Sequence, residues 1–182
     1  LVPPAATRVG ELAVADIGIP QSVIDTVSGP RTEVITTEWA REQIEPRPDE
    51  LHKGECGRVL IVAGSTGKTG AARLAGAGAL RSGAGLVTVA TPRICQDVVS
   101  ALMPEYMTVG LDSTPAGTIV VSAVDAVLAE RCDVLAIGPG LGQGPEVGQA
   151  VRALVARSTG PLVLDADAIN AFIDDPQALV GG

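Results

Sequence analysis

The sequence predicts an α/β protein built on a mostly parallel central sheet with helices on both faces. Two observations carry that prediction. First, short apolar runs recur, each followed by a stretch with helical spacing. RVLIVAG (58–64) precedes TGAARLAGAGALRSGAG (69–85), and LVTVATP (86–92) precedes RICQDVVSAL (93–102). DVLAIGPGLG (133–142) precedes PEVGQAVRALVARS (145–158), and PLVLDADAIN (161–170) is a further strand opening another helix. Strands alternating with helices of about 10–15 residues are βαβ units, whose right-handed crossovers bring every strand's C-terminal end to one rim. Second, Trp39, Tyr106 and Phe172 are the only aromatic residues. The core is therefore Ala, Val, Ile and Leu, as in sheets buried on both faces.

In chain order, ELAVADIGI (11–19) alternates apolar and polar residues and stops at Pro20, which predicts a strand followed by a short helical or turn segment through Val27. Residues 29–51 read as a linker. Within it a short helix is predicted near 37–44, with Thr37 as N-cap and Trp39 and Ile44 on the buried side. The strands and helices above follow from His52 onward. MPEYM (103–107) reads as a loop, and IVVSAVDAVLAERC (119–132) as mainly helix. Gly76, Gly78 and Gly83 lie inside or at the end of a helix, where close helix–sheet packing explains them better than a dinucleotide fingerprint.

The 182 residues suit about one domain, at roughly 150 residues per domain. With 46% hydrophobic and 19% charged residues, the chain is not a disordered tail. A net charge of −8 disfavours a general nucleic-acid or anionic-membrane surface, and the missing rings disfavour base stacking. Residues 52–81 nevertheless carry Lys53, Arg58, Lys68, Arg73 and Arg81 against Glu55 alone. This is either chance on solvated faces or one local site for an anionic small molecule. Cys56, Cys95 and Cys132 are widely spaced, with no Cys-x-x-Cys pair, so reduced thiols in a cytoplasmic protein are expected. No apolar run approaches the ~18 residues of a membrane span.

Three strands end in chemically suggestive sequences on the shared rim, where open α/β sheets bind ligands. GSTGKTG (64–70) offers Gly64, Ser65, Gly67 and Lys68 as an anion-binding turn at a helix start. It is not a Walker A loop, because the first glycine of G-x-x-x-x-G-K-[ST] falls on Val62. GPGLG (138–142) brings glycine amides and a stiffening proline to a second strand end, a setting for a pyrophosphate. DADAIN (165–170) places Asp165, Asp167 and Asn170 there, able to hold Mg2+ through water; Asp167 is equally suited to N-cap the next helix. His52, the only histidine, reads as a structural hydrogen-bonder or a general acid–base.

HKGECGRVLIVAGS (52–65), TGAARLAGAGALRSGAGLVTVATP (69–92), MPEYM, LAIGPGLG (135–142) and PLVLDADAIN resemble, in order, the ADP/ATP-dependent NAD(P)H-hydrate dehydratases. VGELAVADIGIP (9–20) resembles the end of an NAD(P)H-hydrate epimerase domain. The resemblance implies a ribokinase-like three-layer α/β/α fold, incomplete at its C-terminus. It implies an epimerase tail over 1–28, a linker over 29–51 and the N-terminal half of a dehydratase domain over 52–182. The implied reaction phosphorylates the ring hydroxyl of the S-epimer of hydrated NADH or NADPH (NADHX, NADPHX) with ADP or ATP and Mg2+, then eliminates phosphate. Ala71, Gly140 and Gly142 are the implied dinucleotide contacts, and Asp165, Asp167 and Asn170 are read as substrate-binding along the same edge. The family's catalytic Asp is expected beyond Gly182, so the chain alone is expected to be unstable and inactive. A homotetramer and a K+ ion for the epimerase part are further implications for the parent. Two other readings share the pattern: a ribokinase-like vitamin-precursor kinase and a non-catalytic nucleotide-binding module.

Overall fold

In the computed structural model, residues 4–13, 15–29, 35–44, 48 and 50–179 are described. The chain divides into two compact units, Leu1–Pro46 and Arg47–Gly182.

In the first unit the described residues form a 3-10 turn, Ala5–Arg8, and helices α1 (Gln21–Thr26) and α2 (Thr37–Glu42). No described residue of 11–19 is in a strand, which corrects the sequence expectation. The alternation is present, but no ladder pairs with it among the described residues, and a lone strand leaves its backbone groups unmet. Instead the Gly18 N–H donates to the Asp16 carboxylate at 2.8 Å, a local turn ahead of Pro20. The cap of α2 also shifts by one residue: Thr36, not Thr37, accepts the Trp39 N–H at 3.2 Å. Trp39 and Ile44, expected on a buried side, are exposed.

The second unit alternates β1 (Arg58–Val62), α3 (Thr69–Ser82), β2 (Leu86–Pro92), α4 (Gln96–Leu102), β3 (Met107–Leu111), α5 (Val124–Ala129), β4 (Val134–Ile137), α6 (Pro145–Arg157), β5 (Leu162–Leu164) and α7 (Asp167–Asn170). All five strands are parallel, in the order β3-β2-β1-β4-β5. The side chains of β1 alternate between two cores, as the two-residue period of a strand requires. Ile61 and Ala63 face a cluster with Ala72 of α3, Val99 of α4 and Tyr106. Leu60 and Val62 face one with Val124 and Val127 of α5, and Val147, Val151 and Leu154 of α6. Helices thus cover both faces in a three-layer sandwich.

α3 approaches the sheet closely because Gly76 has no side chain: a Cβ there would lie 2.8 Å from the Tyr106 ring and 3.1 Å from Val89. Gly78 faces open space and Gly83 forms the left-handed C-cap, so the packing explanation holds for Gly76 alone. Tyr106 is held in the core by its hydroxyl, which donates to the Val99 carbonyl at 2.7 Å.

Candidate functional site at the C-terminal rim

The strand order reverses direction at β1. The chain winds outward through β2 and β3, then returns to add β4 and β5 on the other side. At such a switch point, open α/β sheets bind ligands beyond the C-terminal ends of the strands. Residues 64–68 follow β1 and 138–144 follow β4.

These two loops are bonded to each other. The Gly64 N–H donates to the Pro139 carbonyl at 2.8 Å, and the Ser65 hydroxyl to the Gly140 carbonyl at 2.7 Å. Ser65 is buried, so its hydroxyl is committed to this contact. Gly140 sits at φ +66°, with room for nothing larger: a Cβ would lie 2.8 Å from that of Ala71 and 3.0 Å from the Lys68 carbonyl. Gly67 and Lys68 form the exposed tip, and no side chain caps the following N-terminus of α3.

The loop after β5 closes the third side. The Asp165 carbonyl packs against Gly138, where a Cβ would overlap it. The Asp167 carboxylate, 14% exposed, accepts the Gly142 N–H at 2.8 Å and lies 3.7 Å from the Lys68 ammonium. Asp167 occupies the first position of α7 rather than capping it; the cap position is Ala166. Asp165 and Asn170 are exposed. A cleft of about 220 Å³ beside this loop is lined by Gly142, Gly144, Asp167, Asn170, Arg152 and Asp174, among others.

Ala71, Gly140, Gly142, Asp165, Asp167 and Asn170 therefore share one rim with Gly64, Ser65, Gly67 and Lys68. His52 does not. It precedes β1, on the opposite rim, about 16 Å away across five strand residues. There its Nδ1 accepts the Gly54 N–H at 3.1 Å and its own N–H donates to Glu55 at 2.8 Å. The general acid–base reading of His52 has no support at this position. The run of basic residues over 52–81 is not a single site either. Lys53 and Arg58 sit at the start of β1 and Arg81 in the last turn of α3, so of these five only Lys68 stands in the loop after β1.

Two features of the rim were not read from the sequence. The turn Thr114–Thr118 reaches the β1 loop, where the Thr66 N–H donates to the Gly117 carbonyl at 3.1 Å. The methyl of Thr118 borders Gly142. Pro115 and Gly117 at the second and fourth positions of a turn starting at Thr114 were the available signal. Ala166 is the other: among the described residues it is the one non-glycine with positive φ, at φ 44° and ψ −112°.

The rim does not build a protein cage for Mg2+. Among the described residues, no three His, Cys, Asp or Glu side chains converge, and Asp167 already has two partners. A magnesium ion here would be held by nucleotide phosphates and water, with at most a carboxylate or two such as that of the exposed Asp165, the usual arrangement for that ion.

A parallel α/β sandwich with phosphate-style loops at a switch point defines the class, and comparison with known proteins refines it. A ribokinase-like superfamily protein from Enterococcus faecalis superposes with a TM-score of 0.63 at 29% identity, covering 76% of this chain and 46% of its own. An ADP/ATP-dependent NAD(P)H-hydrate dehydratase from Bacillus subtilis, co-crystallized with ATP/Mg2+, gives 0.61 at 37% identity over 74% and 46%. The fold is thus ribokinase-like. Residues 59–180 match the sequence profile of the NAD(P)H-hydrate dehydratases, and the chain belongs to that family. A bifunctional NAD(P)H-hydrate repair enzyme from Moorella thermoacetica is 45% identical over all of this chain and 34% of its own length. An ADP-dependent (S)-NAD(P)H-hydrate dehydratase from Xanthomonas campestris is 36% identical over 82% of this chain and 52% of its own. The chain spans about a third of the first relative and about half of the second.

Proposed function

We propose that this chain supplies the dinucleotide-facing half of an ADP/ATP-dependent NAD(P)H-hydrate dehydratase, within a bifunctional nicotinamide-nucleotide repair protein. The observation that carries the reading is the bonded pair of loops at the switch point, Ser65 to Gly140 and Gly64 to Pro139, inside the stretch that matches the family. Ala71, Gly140 and Gly142 line the surface for the hydrated dinucleotide, with Asp165, Asp167 and Asn170 along the same edge. Lys68, half-exposed, and the uncapped start of α3 supply positive potential for its phosphates.

The chemistry needs little covalent help from these residues. Hydroxide is a poor leaving group, so the ring hydroxyl first takes a phosphoryl group from ADP, releasing AMP, or from ATP, releasing ADP. Phosphate then leaves, a proton is lost from the neighbouring ring carbon, and the reduced nicotinamide is restored. Positioning and charge stabilisation are what the protein contributes to such a transfer. The glycine loops hold one reactant at a fixed place and exclude alternatives by close packing. Mg2+ accompanies the nucleotide, hydrated NADH and NADPH are the substrates, and the repair protein is a cytoplasmic homotetramer.

The test is incubation of the intact protein with hydrated NADPH and ADP and, in parallel, with a vitamin precursor and ATP. Recovery of NADPH with stoichiometric AMP and phosphate supports the reading. Phosphorylation of a vitamin precursor without NADPH recovery replaces it with the kinase reading.

A further inference from the structure

We infer that Asp167 is a positioning residue for the proposed reaction: its carboxylate latches the loop after β4 to the loop after β1, and it does not itself bind the dinucleotide or a metal. This rests on the dehydratase reading above, and it assigns Asp167 a role different from that of its neighbours Asp165 and Asn170.

Three observations converge on it. The carboxylate is largely buried and already engaged, by the Gly142 N–H at 2.8 Å and the Lys68 ammonium at 3.7 Å. These two partners belong to the loops after β4 and β1, which are also bonded to each other through Ser65 and Gly140. The residue before it, Ala166, is held at φ 44° and ψ −112°, a region that a non-glycine residue occupies only where its surroundings enforce it. Here they do: the Asp165 N–H donates to the Ile137 carbonyl at 3.0 Å on one side, and the Ala168 N–H donates to the Asp165 carbonyl at 2.9 Å on the other. The strained turn delivers Asp167 to Gly142 at the moment β5 ends, rather than leaving it to cap α7. A charge-assisted bond from a carboxylate to a backbone N–H is among the stronger hydrogen bonds a loop can make. It fixes the Gly142 amide, and with it the path of a loop whose Gly142 and Gly144 line the cleft beside Asp167. The paired carboxylate also holds Lys68 over the same loop, where an incoming phosphate competes for the ammonium.

The experiment uses the intact protein and two variants, Asp167→Ala and Asp167→Asn, with two readouts. Hydrogen–deuterium exchange of the peptide containing Gly142 reads the latch directly. Exchange there is expected to rise about tenfold in Asp167→Ala, the scale of one lost hydrogen bond, and to stay near wild type in Asp167→Asn, whose amide oxygen still accepts. Steady-state kinetics reads the consequence. Asp167→Ala is expected to raise KM for the hydrated dinucleotide about tenfold with kcat changed less than threefold, and Asp167→Asn to recover most of that loss. Equal damage by both variants, or a collapse of kcat with a shifted Mg2+ requirement, overturns the proposal and makes Asp167 a direct ligand. Unchanged exchange at Gly142 in Asp167→Ala overturns it as well. If the wild-type protein recovers no NADPH, the dehydratase reading fails, while the exchange experiment still decides whether the latch exists.

Discussion

At the start of the sheet, Gly85 lies so close to the Lys53 carbonyl that a Cβ there would overlap it, and Gly54 packs 3.2 Å from the His52 ring by the same measure. The Asp133 carboxylate accepts the Arg58 N–H at 2.7 Å, closing β1 against the segment before β4. At the other end, Gly67 faces open space, Lys68 stands half-exposed, and the loops after β1, β4 and β5 are tied to one another. Both rims are rich in glycine and charge. At the first, glycine lets segments seal against each other. At the second, it brings backbones together and leaves the Lys68 ammonium half-exposed ahead of the uncapped start of α3. Glycine content alone does not mark a binding site: the space at Gly138 and Gly140 is filled by the protein just as it is at Gly85, and the rims differ in the open space at Gly67 and Gly144 and in the half-exposed Lys68.

The largest loss of stability is expected at the sealed rim. Gly85→Ala is expected to cost about 3 kcal/mol or more of stability, because the Lys53 backbone has to move, and calorimetry of the intact protein checks it. In the core that joins the rims, Leu111→Ala, at a fully buried position, is expected to cost about 2–5 kcal/mol, read as a lower denaturation midpoint. Neither change is expected to alter KM of the folded fraction more than twofold. At the open rim the pattern reverses. Lys68→Gln is expected to leave stability within about 0.5 kcal/mol of wild type, since the side chain is half-exposed, yet to raise KM for the hydrated dinucleotide several-fold and flatten its salt dependence. The smallest effect is expected at His52→Ala: stability within about 0.5 kcal/mol of wild type and unchanged kcat, because its side chain is exposed on the sealed rim.

Tyr106 sharpens the account on the α3 face. Tyr106→Phe removes the bond to the Val99 carbonyl and leaves that buried acceptor unmet, a cost of about 1–3 kcal/mol. Burial pushes the Tyr106 hydroxyl above its ordinary pKa of 10.0, with Arg73 nearby pulling it back. The folded state therefore keeps its proton when the unfolded chain has begun to lose it. Stability from this group is complete below pH 10 and declines as pH rises through and above that value. A stability–pH profile in which Tyr106→Phe lacks that contribution to the alkaline decline is the expected result.

Much of the second unit was legible because its physics is local. β1, β2 and β4 are mainly apolar runs that end at or just before Gly or Pro, and α3 and α6 follow β1 and β4 with helical spacing. β3 was hidden. As an edge strand its MTVGL is only half-buried, with Met107 exposed and Gly110 in its middle, so it lacks the apolar run that marked the others. The expected strand over 11–19 failed for the converse reason: alternation marks a surface that fits a sheet, and none of its described residues has a strand to pair with. At the site, the glycine loops and the Asp165–Asn170 segment were legible from their places at strand ends. The bonds among them were not. That Asp167 would reach Gly142 depends on the strained backbone of Ala166, and no residue type announces an alanine at positive φ. The separation of His52 from Lys68 was available, because a residue before a strand and one after it lie at opposite ends.

The most direct measurement is a hydrogen–deuterium exchange footprint of the intact protein with and without hydrated NADPH. Slower exchange confined to the peptides covering 64–71 and 138–142, with 52–57 and the residues around Gly85 unchanged, is the predicted result. Slowing at 52–57 and Gly85 with none at 64–71 or 138–142 would contradict the account.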